Sequence, residues 1–573
     1  MTATILVERD VEVGMRDGVN LRADIYRLNK PGRFPVLLER TPYGKGFSNP
    51  GFALMAAERG YAVVVQDTRG RWASDGDGYP FVSEKEDGFD TVQWAAQQAW
   101  SDGQVGMYGA SYVGYTQWSA AAGSPPGLKT IVPAVTFCKP YEFMYTGGAF
   151  LLGAPVSWGL MAGASMALQR KPMRVEEREE WMRRFIEAVD GMTIRETFDA
   201  FPLKEMPVIG QDGLVPYFAD LLKHPEYDEY WEKFACPYQA MQLPIFHVGS
   251  WYDVFIGSTL SDFHGIRSQG ASPAQRLLIG PWTHANFENV AGEVDFGVQA
   301  SWMFVLPEEE QLRWFDYWLK GTENGILKEL PIRIFVMGVN RWRNEREWPL
   351  ARTRYVPYYL HSTGSANSVE GHGWIDIELP GEENADNYLY DPHNPVPTRG
   401  GGLCCWQAAL PSGAFDQSQI EQRPDVLVYT SSPLESDLEV TGPLQVFLWV
   451  SSSAVDTDFT AKLVDVDPNG FARNLQDGIL RASCRNSLVH PEPLNPGEVY
   501  NLVIDLAATS NVFLSGHRIR LEISSSNYPR FARNPNTGQS HGQATELATA
   551  RQTIFHDNLH PSHILLPVID ASS

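Results

Sequence analysis

Three apolar runs, residues 34–39, 61–66 and 105–108, alternate with stretches of helical pattern at residues 52–59 and 86–98. This alternation leaves little choice of architecture, because strand, helix and strand in succession pack back onto one sheet, with parallel strands and helices on both faces. A helix-like stretch at residues 116–122 and an apolar run at residues 128–132 extend the series. Ahead of it, residues 11–13 and 21–26 alternate across Asp17-Gly18, which predicts a hairpin. From residue 141 the alternation stops, and residues 141–240, rich in Met, Ala, Trp and paired charges, read as a helical insert. Strand patterns return at residues 245–249 and 276–279, then a helix at 308–319 and a strand at 332–337. Beyond residue 351 the helical signal is gone. Residues 426–430, 444–450, 459–466, 500–506 and 518–523 read as strands of an all-β sandwich. Arg518, Arg520 and Glu522 alternate with Ile519, Leu521 and Ile523, which predicts one wet and one packed face. The expected organisation is an α/β catalytic domain (residues 1–140 and 241–350), a helical cap (141–240) and a C-terminal β-sandwich (351–573).

The chemistry enters at Gly109-Ala110-Ser111-Tyr112-Val113-Gly114, which lies between the strand at 105–108 and the helix that follows. Small residues before a serine in a strand-turn-helix context are the mark of a nucleophile elbow, whose sharp turn exposes the hydroxyl above the sheet. The usual second glycine falls at Val113, with Gly114 one place later. A serine hydroxyl needs a base oriented by an acid, and donors aimed at the developing oxyanion. In α/β hydrolases the chain order is nucleophile, acid, base. Asp253 ends the strand at 245–249 and His284 the strand at 276–279, so both leave successive strands at the edge where Ser111 stands. His247 lies within its strand, and about 20 Å of extended chain separates it from Asp253, so it reads as a core histidine. His264 falls on the helix leaving the site, and Asp67 reads as the partner of Arg69 in a structural ion pair. The first oxyanion donor is the Tyr112 amide; the loop after residues 34–39 offers the Tyr43 hydroxyl as the second, its alternative role being packing alone.

Composition excludes several other classes. The 573 residues carry 69 acidic and 46 basic side chains, a net charge of −23, with no basic stripe to hold a nucleic acid. No segment approaches the roughly 18 uninterrupted apolar residues of a membrane span, and residues 1–9 do not read as an export signal, so a cytoplasmic enzyme is expected. Five scattered cysteines suit a reducing compartment; the adjacent Cys404 and Cys405 read as small apolar fillers. No metal-ligand spacing or phosphate loop is present, so neither metal nor cofactor is expected.

Tyr43 after Thr-Pro, Gln66-Asp-Thr-Arg-Gly, Gly109-Ala-Ser-Tyr-Val-Gly, Trp251-Tyr-Asp, Gly280-Pro-Trp-Thr-His and Ser451-Ser-Ser-Ala-Val-Asp-Thr-Asp-Phe closely resemble the bacterial cocaine esterase family. That family sits in a wider group with X-Pro dipeptidyl-peptidases, α-amino-acid ester hydrolases and cephalosporin acylases, in which Gly-x-Ser-Tyr-x-Gly is the rule. The resemblance implies an α/β-hydrolase core with a helical cap and a C-terminal jelly roll. It implies a Ser111, Asp253, His284 triad and an oxyanion hole made by the Tyr43 hydroxyl and the Tyr112 amide. It also places Tyr145, Trp158, Phe255, Cys404 and Cys405 at the acyl pocket, with Tyr145 and Cys405 departing from the family's larger or purely apolar groups. For Trp158 and Phe255 ordinary core packing is the alternative. The expected activity is a serine carboxylesterase acting on small-molecule esters with aromatic acyl groups. Two alternatives stand beside it: an amide-cleaving acylase or aminopeptidase that would use Glu308, Glu309 and Glu310 to bind an ammonium, although acids directly after Pro307 read better as the start of a helix, and a catalytically dead protein whose jelly roll binds sugars. Exposed sandwich edges leave a homodimer open.

Overall fold

A computed structural model describes residues 4–269, 274–305 and 307–570. The central sheet holds β1 (Ile5–Gly14), β2 (Asn20–Leu28), β3 (Phe34–Thr41), β4 (Ala62–Asp67), β5 (Ser101–Ala110), β6 (Leu128–Ala134), β7 (Ile245–Tyr252), β8 (Gln275–Thr283), β9 (Ile332–Val336) and β10 (Arg341–Glu345). Their order in space is β1-β2-β4-β3-β5-β6-β7-β8-β9-β10. From β4 to β9 every neighbour is parallel, while β1, β2 and β10 pair antiparallel at the two edges. The predicted hairpin is β1-β2, with Gly14 opposite Asn20.

The continuous apolar runs exist because the middle strands are covered on both faces. Val36 and Leu38 of β3 share one core with Val92 and Ala95 of α2 (Glu84–Gln97) and Trp118 of α3 (Tyr112–Ala122). The intervening Leu37 shares the opposite core with Phe52 and Ala56 of α1 (Pro50–Glu58) and with Trp314 and Phe315 of α5 (Pro307–Lys320); α4 (Ile256–Arg267) follows β7. α1 starts where Asn49 accepts hydrogen bonds from the amides of Gly51 (2.9 Å) and Phe52 (3.3 Å) and Pro50 needs no partner for a missing N–H.

The segment between β6 and β7 is mainly helical, with elements at Gly153–Trp158, Ser165–Arg170, Val175–Thr193 and Pro216–Lys223 and a π-helical turn at Gly159–Ala164. One short ladder, Tyr145–Thr146 against Ala149–Phe150, interrupts it. After β10 the chain forms an 11-stranded, largely antiparallel sheet whose main apolar core also takes in Trp251, Leu277 and Ile334 of β7, β8 and β9. Its predicted wet face is not wet: Arg520 and Glu522 are buried, because Glu421 and Gln417 fold over that face. Arg520 pairs with Glu421 and Lys462 with Glu522, so the polar alternation reflects a buried ionic network rather than contact with water. Among the described residues no helix is long and apolar enough to cross a membrane.

Candidate active site

Ser111 stands between β5 and α3 with φ 61° and ψ −130°, a left-handed conformation that a non-glycine residue keeps only when its surroundings enforce it. They do: the Ser111 amide donates to Ala134 O (3.0 Å), and Ser111 O accepts from the Gly114 amide (2.8 Å) and Thr136 Oγ1 (2.7 Å). The glycines explain the unusual motif spacing. A Cβ on Gly109 would lie 2.2 Å from Val113 Cγ1, and one on Gly114 would lie 2.5 Å from Thr136 Cγ2. A valine at position 113 is therefore tolerated because Gly109 leaves room for it.

Asp253 and His284 meet through sheet register. Tyr252 of β7 and Thr283 of β8 are paired, so the residue after each emerges at the same level. His284 Nδ1–H donates to Asp253 Oδ1 at 2.7 Å, and His284 Nε2 lies 3.1 Å from the Ser111 hydroxyl that donates to it. Asp253 is fully buried. The β-rich part buttresses this corner: Gln476 Nε2 donates to Trp251 O (2.8 Å), Tyr252 Oη to Asn474 O (3.1 Å), and a Cβ on Gly402 would lie 2.7 Å from Asp253 O.

Tyr43 follows β3, its amide donating to Thr41 Oγ1 at 3.1 Å. Its phenol contacts the Ser111 hydroxyl, the Tyr112 amide and the indole of Trp158, and burial of the hydroxyl raises its pKa, so it stays a proton donor at neutral pH. The Tyr112 amide opens α3, where unsatisfied N–H groups favour negative charge. Tyr112 is itself pinned: its Oη donates to Glu84 Oε1 (3.0 Å) and accepts from the Phe81 amide (2.8 Å), while Arg40 Nη1 holds Glu84 Oε2 at 2.8 Å. Burial raises the pKa of Glu84.

The pocket beneath Tyr43 is lined by Phe81, Phe137, Phe143, Met144, Trp158, Leu221 and Phe255, with Cys404 and Cys405 closing one side. Phe255 meets His284 edge to face at 5.2 Å. Four of the five expected acyl-pocket residues are thus at the pocket, and Tyr145 is not. Tyr145 opens the short ladder, turns its ring against Tyr141 and Phe150, and donates its hydroxyl to Leu221 O at 2.9 Å; its neighbours Phe143 and Met144 face the cavity instead. Phe81, Phe137, Phe143, Met144 and Leu221 line it as well, and nothing in their local sequence distinguishes a pocket side chain from a core one.

The cysteine expectation is also corrected. Cys404 and Cys405 are joined by a disulfide, not placed as independent fillers, while Cys138, Cys236 and Cys484 are free and buried. Asp67 is in a structural ion pair, but with Lys45 Nζ (3.8 Å) rather than Arg69; it also accepts from the amides of Lys45 (2.6 Å) and Ala73 (3.2 Å), and Arg69 reaches Asp87 and Asp17. His247 is buried against Gln275, and burial pushes its pKa down to about 3, while His264 lies on α4. Glu309 pairs with Arg59, and Glu310 with Arg313 and Arg276, at the start of α5.

A parallel sheet that brings a serine on a strained turn together with a histidine and a buried aspartate, joined to a β-rich partner, defines a serine α/β hydrolase with an appended C-terminal domain. Residues 17–286 match the X-Pro dipeptidyl-peptidase (S15) family, and residues 324–565 match the X-Pro dipeptidyl-peptidase C-terminal non-catalytic domain. The chain is 40% identical over 577 residues to the cocaine esterase of Rhodococcus sp. (strain MB1 Bresler), covering 98% of each. It belongs to the cocaine esterase family of serine ester hydrolases. The same fold occurs in an aminopeptidase from a marine sediment Thaumarchaeota archaeon (TM-score 0.80, 23% identity, 100% and 97% of the two chains). It occurs also in an α-amino acid ester hydrolase (TM-score 0.78, 24% identity, 99% and 97%).

Proposed function

We propose that this carboxylesterase cleaves esters of compact aromatic acids through an acyl-enzyme on Ser111, in the manner of its cocaine-hydrolysing relative. The observation that carries this reading is the unbroken contact from Asp253 Oδ1 through His284 to Ser111 Oγ, at 2.7 and 3.1 Å, opening into an aromatic-walled pocket. His284 accepts the Ser111 proton as Oγ attacks the ester carbonyl, and buried Asp253 stabilises the imidazolium. The Tyr43 hydroxyl and the Tyr112 amide hold the oxyanion. His284 then returns the proton to the departing alcohol, and a water activated by the same imidazole releases the acid.

An aromatic acyl group fits because Phe137, Phe143 and Phe255 mutually contact at 4.5–5.0 Å, leaving ring faces and edges toward the cavity. Among the described residues, the pocket lining includes no carboxylate to bind a substrate ammonium, which favours plain esters over α-amino esters and peptides. The proposal includes a cytoplasmic setting, supported by the three unpaired buried thiols. The test is a panel of matched benzoyl, acetyl and α-aminoacyl esters and the corresponding amides. Fastest turnover of the benzoyl ester is expected; preference for α-amino substrates or amides overturns it.

A further inference from the structure

Arg71 is buried without an acid beside it. The residue is 4% exposed, whereas its neighbours in sequence and space, Arg69 and Arg40, pair with Asp87 and Glu84. Among the described residues no carboxylate lies within ion-pair distance of Arg71. Its Nη1 donates instead to Ala162 O at 2.6 Å. Ala162 lies in the π-helical turn Gly159–Ala164, where the wider repeat disrupts the ordinary carbonyl ladder. The guanidinium carbon also stands 5.7 Å from the centre of the Trp158 ring.

Trp158 is the residue from which that turn departs. Its indole stacks on Tyr112 at 5.8 Å and 11°, and its Nε1–H donates to Tyr43 Oη at 3.2 Å. One hydrogen bond accepted by the phenol oxygen restricts where its own proton can point, and hydrogen bonds in series polarise one another. The remaining direction is the one facing the Ser111 hydroxyl and the Tyr112 amide. A cation over the indole strengthens the N–H as a donor, and its charge also acts on an oxyanion forming beyond the phenol.

We propose that Trp158 and Arg71 are positioning residues for the oxyanion hole: the indole N–H fixes the Tyr43 phenol, and Arg71 clamps the π turn that aims the indole while supplying an uncompensated positive charge behind it. The inference rests on the assignment of Tyr43 in the proposed function, and it gives Trp158 a task that a pocket wall does not have.

The test is a double-mutant cycle on an aromatic ester, reading kcat and KM separately. Trp158→Phe keeps the ring and loses the donor, and is expected to lower kcat about tenfold with KM held within about twofold. In a Tyr43→Phe background the same change is expected to alter kcat by less than about twofold, because the bond it removes is already gone. Arg71→Met is expected to lower kcat about tenfold in the wild-type background and to keep part of that loss in the Tyr43→Phe background, because its charge acts on the oxyanion directly, and Arg71→Lys restores part of the loss. Should Arg71→Met fail to fold, the Trp158 cycle and Arg71→Lys decide the matter. A Trp158→Phe effect that falls on KM, or an equal kcat loss in both backgrounds, overturns the inference while leaving the esterase reading intact. A wild-type enzyme inert toward every ester overturns both.

Discussion

The sulfurs of Cys404 and Cys405 are bonded to each other, and the pair forms part of the wall of the pocket into which Ser111 opens. The loop that carries them also presses Gly402 against the Asp253 carbonyl, so one segment of the β-rich part shapes both the wall of the pocket and the seat of Asp253. Alkylation of the denatured, unreduced protein is expected to label Cys138, Cys236 and Cys484 alone, and reduction with a phosphine to expose the other two. Labelling at Cys404 or Cys405 without reductant contradicts the pairing.

The sequence made the central sheet legible because burial on both faces leaves continuous apolar runs, as at residues 34–38 of β3 and 62–65 of β4, and because Gly109 and Ser111 mark a turn that few residues can make. Asp253 and His284 were legible for a related reason: each directly follows a strand end. What stayed hidden depends on which way a ring turns. Tyr145 and Met144 are adjacent, and only the short ladder that begins at Tyr145 decides which of them faces the cavity. The covered face bearing Arg520 was hidden because alternation reports polarity, and a buried ion pair is as polar as a wet surface. Two adjacent cysteines likewise carry no signal that they bond to each other.

Tyr43→Phe removes one of the two proposed oxyanion donors, and is expected to lower kcat about 10²- to 10³-fold with little change in KM. Steady-state kinetics on a benzoyl ester check this. A loss confined to KM would show that the phenol only packs.

Tyr145→Phe loses the hydrogen bond to Leu221 O and is expected to cost about 1 kcal/mol of stability while leaving the KM for benzoyl esters within about twofold. Phe255→Ala removes a ring from the pocket and is expected to raise that KM relative to an acetyl ester. Denaturant titration and paired kinetics separate the two residues; a Tyr145→Phe variant with altered acyl preference would return it to the pocket.

His247 sets an acid limit on stability. Its pKa is lowered by burial from 6.5 to about 3, so the unfolded chain binds a proton that the folded chain refuses as the pH falls through that window. Its contribution is complete above the unfolded value and is lost progressively below it. Between pH 7 and pH 5 the loss from this group is about 2 kcal/mol. Denaturation midpoints of wild type and His247→Gln at the two pH values measure it. The variant is expected to lose less on acidification, and equal losses would remove His247 from the account.

The central claim is that Ser111 becomes acylated with His284 as its base. Rapid quenching of the enzyme with an activated benzoyl ester, followed by peptide mass mapping, tests this directly. The account predicts a benzoyl group on the peptide carrying Ser111, absent in Ser111→Ala and strongly reduced in His284→Ala. Steady hydrolysis by Ser111→Ala at the wild-type rate, or a benzoyl group found at another residue on the reaction pathway, would contradict it.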